Sequence, residues 1–279
     1  MSTVQQQLDI SRVKARQMGL ETLEILKKGS YQSYGGKNIA IREGILNAVN
    51  GTVTYSPEEQ LPIAVRGDRN LGVVISNVTS LFAAKALLAE GYTPAVLNFA
   101  SATSPGGGFL SGARAQEEYL CRSSALFACL TGNPMYSRRD FHTNPFYADY
   151  VIYAPNVPVF RDDDGELIEM PYKCSFVTSP AVQASAVRRY IPEQVGEIEG
   201  VMWMRMLKIL SAMHLHNHDA LVLGAWGCGA FGNDAKMIAR LFKLALMENF
   251  KGAFSKVVFA ITDWSPEQRF IGPFLEVFN

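Results

Sequence analysis

The sequence is poor in cysteine and carries no excess of either charge. Its 279 residues include 4 cysteines, and none of them stands in a Cys-x-x-Cys pair. We therefore expect free thiols in a reducing, cytoplasmic setting. The 26 basic residues balance 26 acidic ones, so the formal net charge is zero. This balance argues against direct binding to nucleic acid or to an anionic membrane surface through overall charge.

Long apolar runs, internal repeats and low-complexity segments are missing as well. No stretch approaches the ~20 apolar residues of a membrane-spanning helix, and the polar N-terminus has no signal-peptide pattern. The hydrophobic content of 48% nevertheless suffices for a full core. The length fits one large domain, or one domain with an extension. We expect a monomer that binds no membrane.

Strands and helices are predicted to alternate from about residue 71 onward, after a first helix over 5–29 that ends at Gly29 and a mixed region to residue 70. The predicted strands are 72–76, 94–100, 150–155, 157–161, 173–178, 220–225 and 255–262. The predicted helices are 81–90, 115–130, one within 192–218, and 234–250. This order indicates an α/β layer fold with a buried mixed sheet. Ligands in such folds bind at the carboxyl ends of the strands.

The first of two glycine-rich loops follows the strand 94–100. It contains Gly106, Gly107 and Gly108, then seven residues, then Gln116, Glu117 and Glu118 at the start of the predicted helix 115–130. Glycines without side chains let a ligand approach the backbone closely. Acids in a first helical turn commonly stabilise only the helix dipole. Beside three glycines, a catalytic role is the favoured interpretation.

The second loop, GAWGCGAFGND, follows the strand 220–225. Residues 227–232 satisfy the pattern G-x-G-x-x-G between a strand and a helix, and backbone N–H groups in such a loop bind phosphate. A tight turn that needs small residues is the alternative. A nicotinamide oxidoreductase is disfavoured, because only 47 residues (279 minus 232) follow Gly232. Those residues suffice for one helix, one strand and a tail, whereas a dinucleotide fold needs several further strands.

Taken together, these two loops resemble those of poly(ADP-ribose) glycohydrolases, which are built on the macrodomain fold. The motif GGG, seven spacers, QEE carries the resemblance, and the segments SNVTSLFAAKALLAEGYTPAVLNFAS and GAWGCGAFGND support it. It covers residues 70–279 and implies a three-layer α/β/α macrodomain with a mixed central sheet. Residues 1–69 are similar to the N-terminal accessory region of short, bacterial-type members, and they could simply cap one face of the sheet.

The implied reaction is hydrolysis of ribose–ribose O-glycosidic bonds in poly(ADP-ribose), mainly from chain ends, releasing ADP-ribose. Glycoside cleavage needs an acid at the leaving oxygen, and neighbours on a helix point ~100° apart. We therefore assign Glu118 as the general acid and then the base toward water. Glu117 is expected to orient the ribose through hydrogen bonds, and Gln116 to shape the turn. No metal and no organic cofactor is expected.

The resemblance also implies a set of substrate-binding residues. Phe231 is expected to cover the terminal ribose, although an anchor for its loop is the alternative. Asn98 could contact a ribose hydroxyl or satisfy a buried backbone group. Asn77 stands where many macrodomains carry an adenine-binding Asp. The complete expected set is Gln116, Gly106, Gly107, Gly108, Asn98, Gly227, Cys228, Gly229, Ala230, Phe231, Asn77, Val78 and Thr262, with Asp263 and Trp264 on the adenine side.

Several other features are interpreted as structural. His214, His216 and His218 lack the acidic partner of a zinc motif. The run 162–166 reads as a solvated hairpin turn, since it lacks calcium-ligand spacing. Cys228 is interpreted as a small loop filler, because no His is near it in sequence. The pairs Arg138–Arg139 and Arg188–Arg189 could steer a polyanion or be ordinary surface charge.

Two other functions remain open at this point. A non-catalytic ADP-ribose-binding macrodomain would use the same loops, but it would not need acids at the ribose. A hydrolase that removes a single ADP-ribose from an ADP-ribosylated protein would use the same pocket and the same acids.

Overall fold

The computed structural model describes residues 9–137 and 144–279. Its strands are β1 Ser30–Gln32, β2 Asn38–Ala40, β3 Val53–Tyr55, β4 Gly72–Ser76, β5 Pro94–Ala100, β6 Val151–Arg161, β7 Leu167–Pro180, β8 Ala220–Leu223 and β9 Lys256–Ala260. Its α-helices are α1 Arg12–Lys28, α2 Arg42–Asn50, α3 Ser80–Ala89, α4 Gln116–Ser123, α5 Leu126–Leu130, α6 Ala184–Tyr190, α7 Ile198–Leu215, α8 Ala235–Leu244 and α9 Ile271–Phe278. The pair Arg138–Arg139 and the first residues of the helix predicted over 5–29 lie outside the described residues.

Seven strands form one mixed sheet in the order β3-β6-β7-β5-β8-β9-β4. The five strands from β7 to β4 run parallel to their neighbours, whereas β6 is antiparallel to both β3 and β7. The predicted hairpin of 157–161 and 173–178 is confirmed by the pairing of Val157 with Cys174. The strands predicted over 150–155 and 157–161 form the single strand β6, which contains a bulge between Ala154 and Val157.

Side chains of the central strands alternate between two cores, one on each face of the sheet. On β5, Ala95 and Leu97 belong to the core beneath α7, α8 and α9, while Val96 belongs to the core beneath α2 to α5. The other parallel strands alternate likewise, since successive side chains of a strand point to opposite faces. The predicted three-layer α/β/α architecture is therefore confirmed. No helix of the described residues has the length and hydropathy needed to cross a membrane.

The N-terminal region contributes both a strand and a supporting helix. Strand β3 forms one edge of the main sheet. Helix α1 ends at Gly29, as predicted, with a left-handed backbone at φ 69°. The helix packs on the segment after the three glycines, where a side chain at Gly19 would clash with the carbonyl oxygen of Phe109. The Thr22 hydroxyl donates to the carbonyl oxygen of Arg122 at 2.9 Å. The division at residue 69 stays a prediction.

The prediction of one helix over 115–130 is wrong, because the helix is interrupted at Ser124. Ser124 is extended (φ −146°) and forms an isolated antiparallel bridge with Val159. Its hydroxyl donates to the carbonyl oxygen of Leu120 at 2.7 Å and accepts from the N–H of Leu126 at 3.3 Å. Side-chain hydrogen bonds thus replace the helical ones, and α4 and α5 are separate helices.

The tail predicted after the last strand contains an additional helix, α9. Its Pro273 lies in the first helical turn, where proline is tolerated because the missing N–H has no intrahelical partner. Phe274 is fully buried, and its ring centroid lies 5.1 Å from that of Phe259 on β9. Helix α9 therefore completes one face of the sheet.

Two histidines from the segment 214–218 are built into an aromatic cluster. The imidazole of His216 stacks on the Tyr153 ring with centroids 3.5 Å apart, and its Nε2 lies 2.9 Å from the Tyr55 hydroxyl. The buried His218 donates from Nδ1 to the Thr93 carbonyl oxygen at 2.9 Å, so that neutral Nε2 accepts from the Tyr153 hydroxyl at 3.0 Å. Burial lowers the pKa of His218.

We predict that His218 makes the protein less stable as the pH falls below about 6.5. The unfolded chain takes up a proton near pH 6.5, whereas folded His218, with its lowered pKa, does not. The contribution of His218 to the free energy of unfolding is therefore intact above that pH and is lost as the pH falls toward the folded pKa. Urea unfolding at about pH 7.5, 6.5 and 5.5 should show that the free energy of unfolding falls less with pH for His218→Gln than for wild type. His214→Gln is the control. Equal pH slopes for wild type and His218→Gln would contradict the prediction.

Candidate functional site

The two glycine-rich loops meet because they follow strands β5 and β8, which are parallel neighbours. Between them lies a cavity of about 210 Å³, called here the carboxylate cavity, lined by Glu117 and Glu118 on one side and by Ala230 and Phe231 on the other. A second cavity of about 440 Å³, the outer cavity, adjoins it along Gln116. The predicted meeting of the loops at the carboxyl ends of the strands is thus confirmed.

Gly107 makes room for the two carboxylates. A side chain at Gly107 would overlap Oε1 of Glu118 and approach Oε2 of Glu117 to 3.0 Å. The backbone of Gly107 is also left-handed (φ 57°), a conformation that favours glycine. At Gly108, the backbone N–H donates to Oε1 of Glu118 at 2.9 Å. The loop therefore binds the protein's own acids, rather than serving only as an opening for a ligand.

Gln116 fixes the start of α4 against strand β5. Its Oε1 accepts from the N–H of Phe99 at 2.9 Å, and its Nε2 donates to the carbonyl oxygen of Leu97 at 2.8 Å. The same Nε2 donates to the Ser80 hydroxyl at 3.1 Å. All three bonds are to protein groups, so Gln116 orients the two acids that follow it, consistent with a role in shaping the turn.

Glu117 is the more deeply enclosed acid. Its Oε2 accepts from the N–H of Ser101 at 2.7 Å, and its Oε1 lies 3.4 Å from Nδ2 of Asn98. Burial, together with the nearby charge of Glu118, raises the pKa of Glu117 to about 8, although the hydrogen bond from Ser101 opposes the shift. Glu117 therefore holds a proton at neutral pH, and the two neighbouring carboxyl groups do not both carry a charge.

Glu118 differs from Glu117 in having one carboxylate oxygen without a protein partner. Oε1 accepts from Gly108, whereas Oε2 is buried and has no hydrogen bond within the described residues. Because a buried oxygen without a partner is costly, such an atom at a cavity wall indicates a place for a ligand. Both acids line the carboxylate cavity.

The second loop is anchored by Trp226 and Asn233. The buried indole of Trp226 donates to the carbonyl oxygen of Ser179 at 3.1 Å, and Nδ2 of Asn233 donates to Val182 and Gly227. Gly227 is left-handed (φ 75°), and a side chain there would clash with Asn233. These contacts fix the loop backbone beside the cavity.

Backbone donors of this loop are available to a ligand. In the part of the chain that the structure describes, the N–H groups of Gly229, Ala230 and Phe231 donate to no protein acceptor. A series of free N–H groups on a loop before a helix suits a phosphate. The ring of Phe231 is half-buried and lies at the wall of the carboxylate cavity, opposite the acids.

The outer cavity collects most of the residues expected on the adenine side. Val78, Thr262 and Trp264 line it, and so does Phe270, which was not predicted. Asn77 is directed elsewhere, since its side chain donates to the carbonyl oxygen of Asp263 and accepts from the Asp263 N–H at 3.1 Å.

The glycines at 106–108, Asn98 and Cys228 also line neither cavity. Asn98 is buried behind Glu117 and donates to Thr178 at 3.2 Å, so its contacts are with side chains and not with the backbone. Cys228 is a buried residue of the second glycine loop. Burial raises the pKa of its thiol, consistent with a structural filler.

Two groups at the site were not found from the sequence. Asp163, in the turn interpreted as solvated, accepts hydrogen bonds from the hydroxyls of Tyr119 and Thr79, which line the outer cavity. Asp9 lines that cavity as well and pairs with Arg114 at 3.2 Å. Neither acid belongs to a motif. The sequence signal nearest to the hydrogen bonds of Asp163 is the position of Tyr119 directly after the acid pair.

The fold and the site define an α/β protein of the macrodomain type with a buried acid pair between two glycine loops. A family model described as the catalytic domain of microbial-type PARG matches residues 20–162. A comparison with curated protein sequences found no match. The chain belongs to the family of microbial-type poly(ADP-ribose) glycohydrolase (PARG) catalytic domains.

Solved structures agree with this assignment. The poly(ADP-ribose) glycohydrolase from Thermomonospora curvata is 42% identical over 95% of this chain and 100% of its own, with a TM-score of 0.89. Its structure bound to the inhibitor ADP-HPD gives a TM-score of 0.87 at 42% identity, over 95% of this chain and 99% of its own. The poly(ADP-ribose) glycohydrolase from Deinococcus radiodurans in complex with ADP-ribose is 38% identical over 85% of this chain and 97% of its own, with a TM-score of 0.81.

We predict that Gly107→Ala strongly lowers the activity of the site, because the new methyl group displaces both acids. Misplacing reacting groups by about 1 Å costs on the order of 100-fold in rate. Gly91→Ala is the matched control: Gly91 is also left-handed (φ 88°), but a side chain there meets no atom within 4 Å. Both variants should lose roughly 1–2 kcal/mol of stability from backbone strain. Equal activity of the two variants would show that the space beside the acids is not needed.

Proposed function

We propose that this protein hydrolyses the ribose–ribose O-glycosidic bonds of poly(ADP-ribose) and releases ADP-ribose. The single observation that carries the proposal is Oε2 of Glu118, which has no hydrogen-bond partner in residues 9–137 and 144–279 and lies at the wall of a cavity between the two glycine loops. The family and the relatives that bind ADP-ribose and ADP-HPD support this substrate. Poly(ADP-ribose) or an ADP-ribosylated protein is the substrate, and the reaction reverses ADP-ribosylation in the cytoplasm.

In the mechanism, Glu118 acts first as an acid. Its carboxylic acid gives a proton to the glycosidic oxygen while the bond from that oxygen to the ribose carbon C1 breaks. The departing group leaves as a hydroxyl, and the ribose ring carries the positive charge of an oxocarbenium ion. Glu118, now a carboxylate, takes a proton from a water molecule that adds to C1. The proton is thereby restored, so the cycle needs no metal or organic cofactor.

Glu117 supports this cycle from a deeper position. With a pKa of about 8, Glu117 is protonated at neutral pH and is itself uncharged beside the reacting ribose. Its hydroxyl can donate to a ribose oxygen or to Asn98, whose Oδ1 is buried and has no partner in the described residues. We assign Glu117 the orientation of the ribose against Glu118.

The two loops hold the remainder of the ADP-ribose unit. The N–H groups of Gly229, Ala230 and Phe231, which donate to no acceptor in the described part of the chain, suit the diphosphate, and the Phe231 ring covers the terminal ribose. The adenosine occupies the outer cavity against Val78, Thr262 and Trp264. Gln116 and the glycines at 106–108 act on the substrate through the acids that they orient.

Cleavage is expected mainly at chain ends. Asp9 and Arg114 form a wall on the outer cavity, which leaves less room for a polymer that continues beyond the adenosine. The Phe231 loop encloses the other end of the same unit. A terminal unit fits such a closed site better than an internal one.

We predict that Glu118→Gln abolishes hydrolysis and retains ADP-ribose binding. Removal of a general acid typically costs about 10²–10⁴-fold in kcat, whereas the diphosphate and adenosine contacts remain. Free ADP-ribose released from poly(ADP-ribose) on a carrier protein would be followed by chromatography, with EDTA present, and ADP-ribose binding by calorimetry. Glu24→Gln, at an exposed position on α1, is the control.

The outcomes separate the competing functions. Release of ADP-ribose from the polymer by wild type and by Glu24→Gln, but not by Glu118→Gln, would support both the proposed reaction and the assignment of Glu118 as the acid. ADP-ribose binding without release of ADP-ribose by any variant would indicate a non-catalytic ADP-ribose-binding macrodomain. Release from singly ADP-ribosylated protein but not from polymer would indicate the mono-ADP-ribosyl hydrolase.

A further inference from the structure

A groove of about 560 Å³ lies on the far side of the second glycine loop. Its cations come from three different parts of the chain: Arg188 from α6, Lys236 from α8, and Arg269 from the segment before α9. All three side chains are exposed. Because the protein as a whole has zero net charge, this convergence is not a consequence of a basic composition. We call it the basic groove.

The basic groove adjoins the proposed substrate site. Gly229 and Phe270 line both the groove and the outer cavity. A side chain at Gly229 would meet no atom of the described residues within 4 Å. Gly229 also lines the carboxylate cavity, where the ribose carbon C1 joins the neighbouring unit, so a polymer that leaves that cavity beside Gly229 reaches the basic groove.

The two arginines are held in place by contacts that leave their charge unneutralised. Nη2 of Arg188 donates to the carbonyl oxygen of Gly232 at 2.6 Å, and the guanidinium of Arg269 lies 4.6 Å from the centroid of the Phe270 ring. Within residues 9–137 and 144–279, neither arginine has a carboxylate within 4.0 Å. Each keeps free N–H groups in a planar fork that matches two phosphate oxygens.

Two acids reduce the positive charge here without cancelling it. Glu276 pairs with Lys236 at 2.5 Å, so that lysine contributes less than the arginines. Asp234 lines the groove, but its Oδ1 accepts from the N–H of Met237 at 2.6 Å as the N-cap of α8. Arg188 and Arg269 therefore supply the charge that an anion would meet.

We propose that the basic groove binds the diphosphate of a second ADP-ribose unit, the neighbour of the unit held in the two cavities. This inference rests on the proposed function, since a polymer with one diphosphate per unit places the next anion outside the cavity. A diphosphate offers pairs of oxygens to both arginine forks. The groove then adds affinity for polymer and none for free ADP-ribose.

The test compares two double variants with the same change in charge. Arg188→Gln/Arg269→Gln removes the groove charges, and Arg189→Gln/Arg240→Gln removes two exposed charges outside the groove. Both are made in the Glu118→Gln background, so that labelled poly(ADP-ribose) of defined length is not consumed. Fluorescence anisotropy measures polymer binding and calorimetry measures ADP-ribose binding, at low and high salt.

The groove variant should bind polymer about ten-fold more weakly at low salt, since each exposed charge contact is worth up to about five-fold. The difference should shrink at about 1 M salt, where the Debye length is about 3 Å. ADP-ribose affinity should change less than about two-fold, as should polymer binding by the control variant.

Three results would overturn the inference: equal loss in both double variants, a parallel loss of ADP-ribose binding, or unchanged polymer binding. Equal competition by single-stranded DNA with the same number of phosphates would also overturn it, because the groove would then be a general polyanion site. Binding does not require turnover. If wild type failed to hydrolyse polymer while the groove variant still lost affinity, the proposed function alone would fail.

Discussion

The burial of two adjacent carboxyl groups is the constraint on which the rest of the site depends. An acid removed from water needs hydrogen-bond donors or a proton. Glu118 receives the N–H of Gly108, and Glu117 receives that of Ser101 and retains its proton to a pKa of about 8. The carboxyl groups fit against the first glycine loop because Gly107 has no side chain. The glycines, the extended end of β5 and the start of α4 all follow from this requirement.

Because of the same constraint, the N-terminal region helps to hold the acid pair in place. Helix α1 packs so closely on the segment after the glycines that Gly19 tolerates no side chain, and Thr22 bonds the end of α4. Arg161, beside the hairpin that carries Asp163, pairs with Glu21 of α1 at 2.8 Å. The acid pair is thus supported from behind by residues that come early in the chain. The family match, which begins at residue 20, is consistent with this arrangement.

Local sequence patterns sufficed to predict the layers, the strand β5 to the residue, and the meeting of the two loops. These features depend on periodicity and on glycine, which act over a few residues. The patterns could not predict contacts between distant segments. Ser124 breaks a helix because β6 passes beside it, Asn77 is bound by Asp263, and Asp163 is buried by Tyr119. Each outcome was decided by a partner more than 30 residues away, which composition and spacing do not reveal. For the same reason, the sequence pattern did not reveal that Asn98 is buried behind Glu117 and donates to Thr178.

The position of the tryptophans gives the protein a built-in optical reporter. Its 3 tryptophans include Trp226, which is fully buried beneath the second glycine loop, and Trp264, which is about half exposed (50%) at the wall of the outer cavity. A planar base that occupies the outer cavity would shield Trp264 from water and alter its emission, while Trp226 would report on the loop backbone. Occupancy of the site is therefore readable from intrinsic fluorescence, without a label and without turnover.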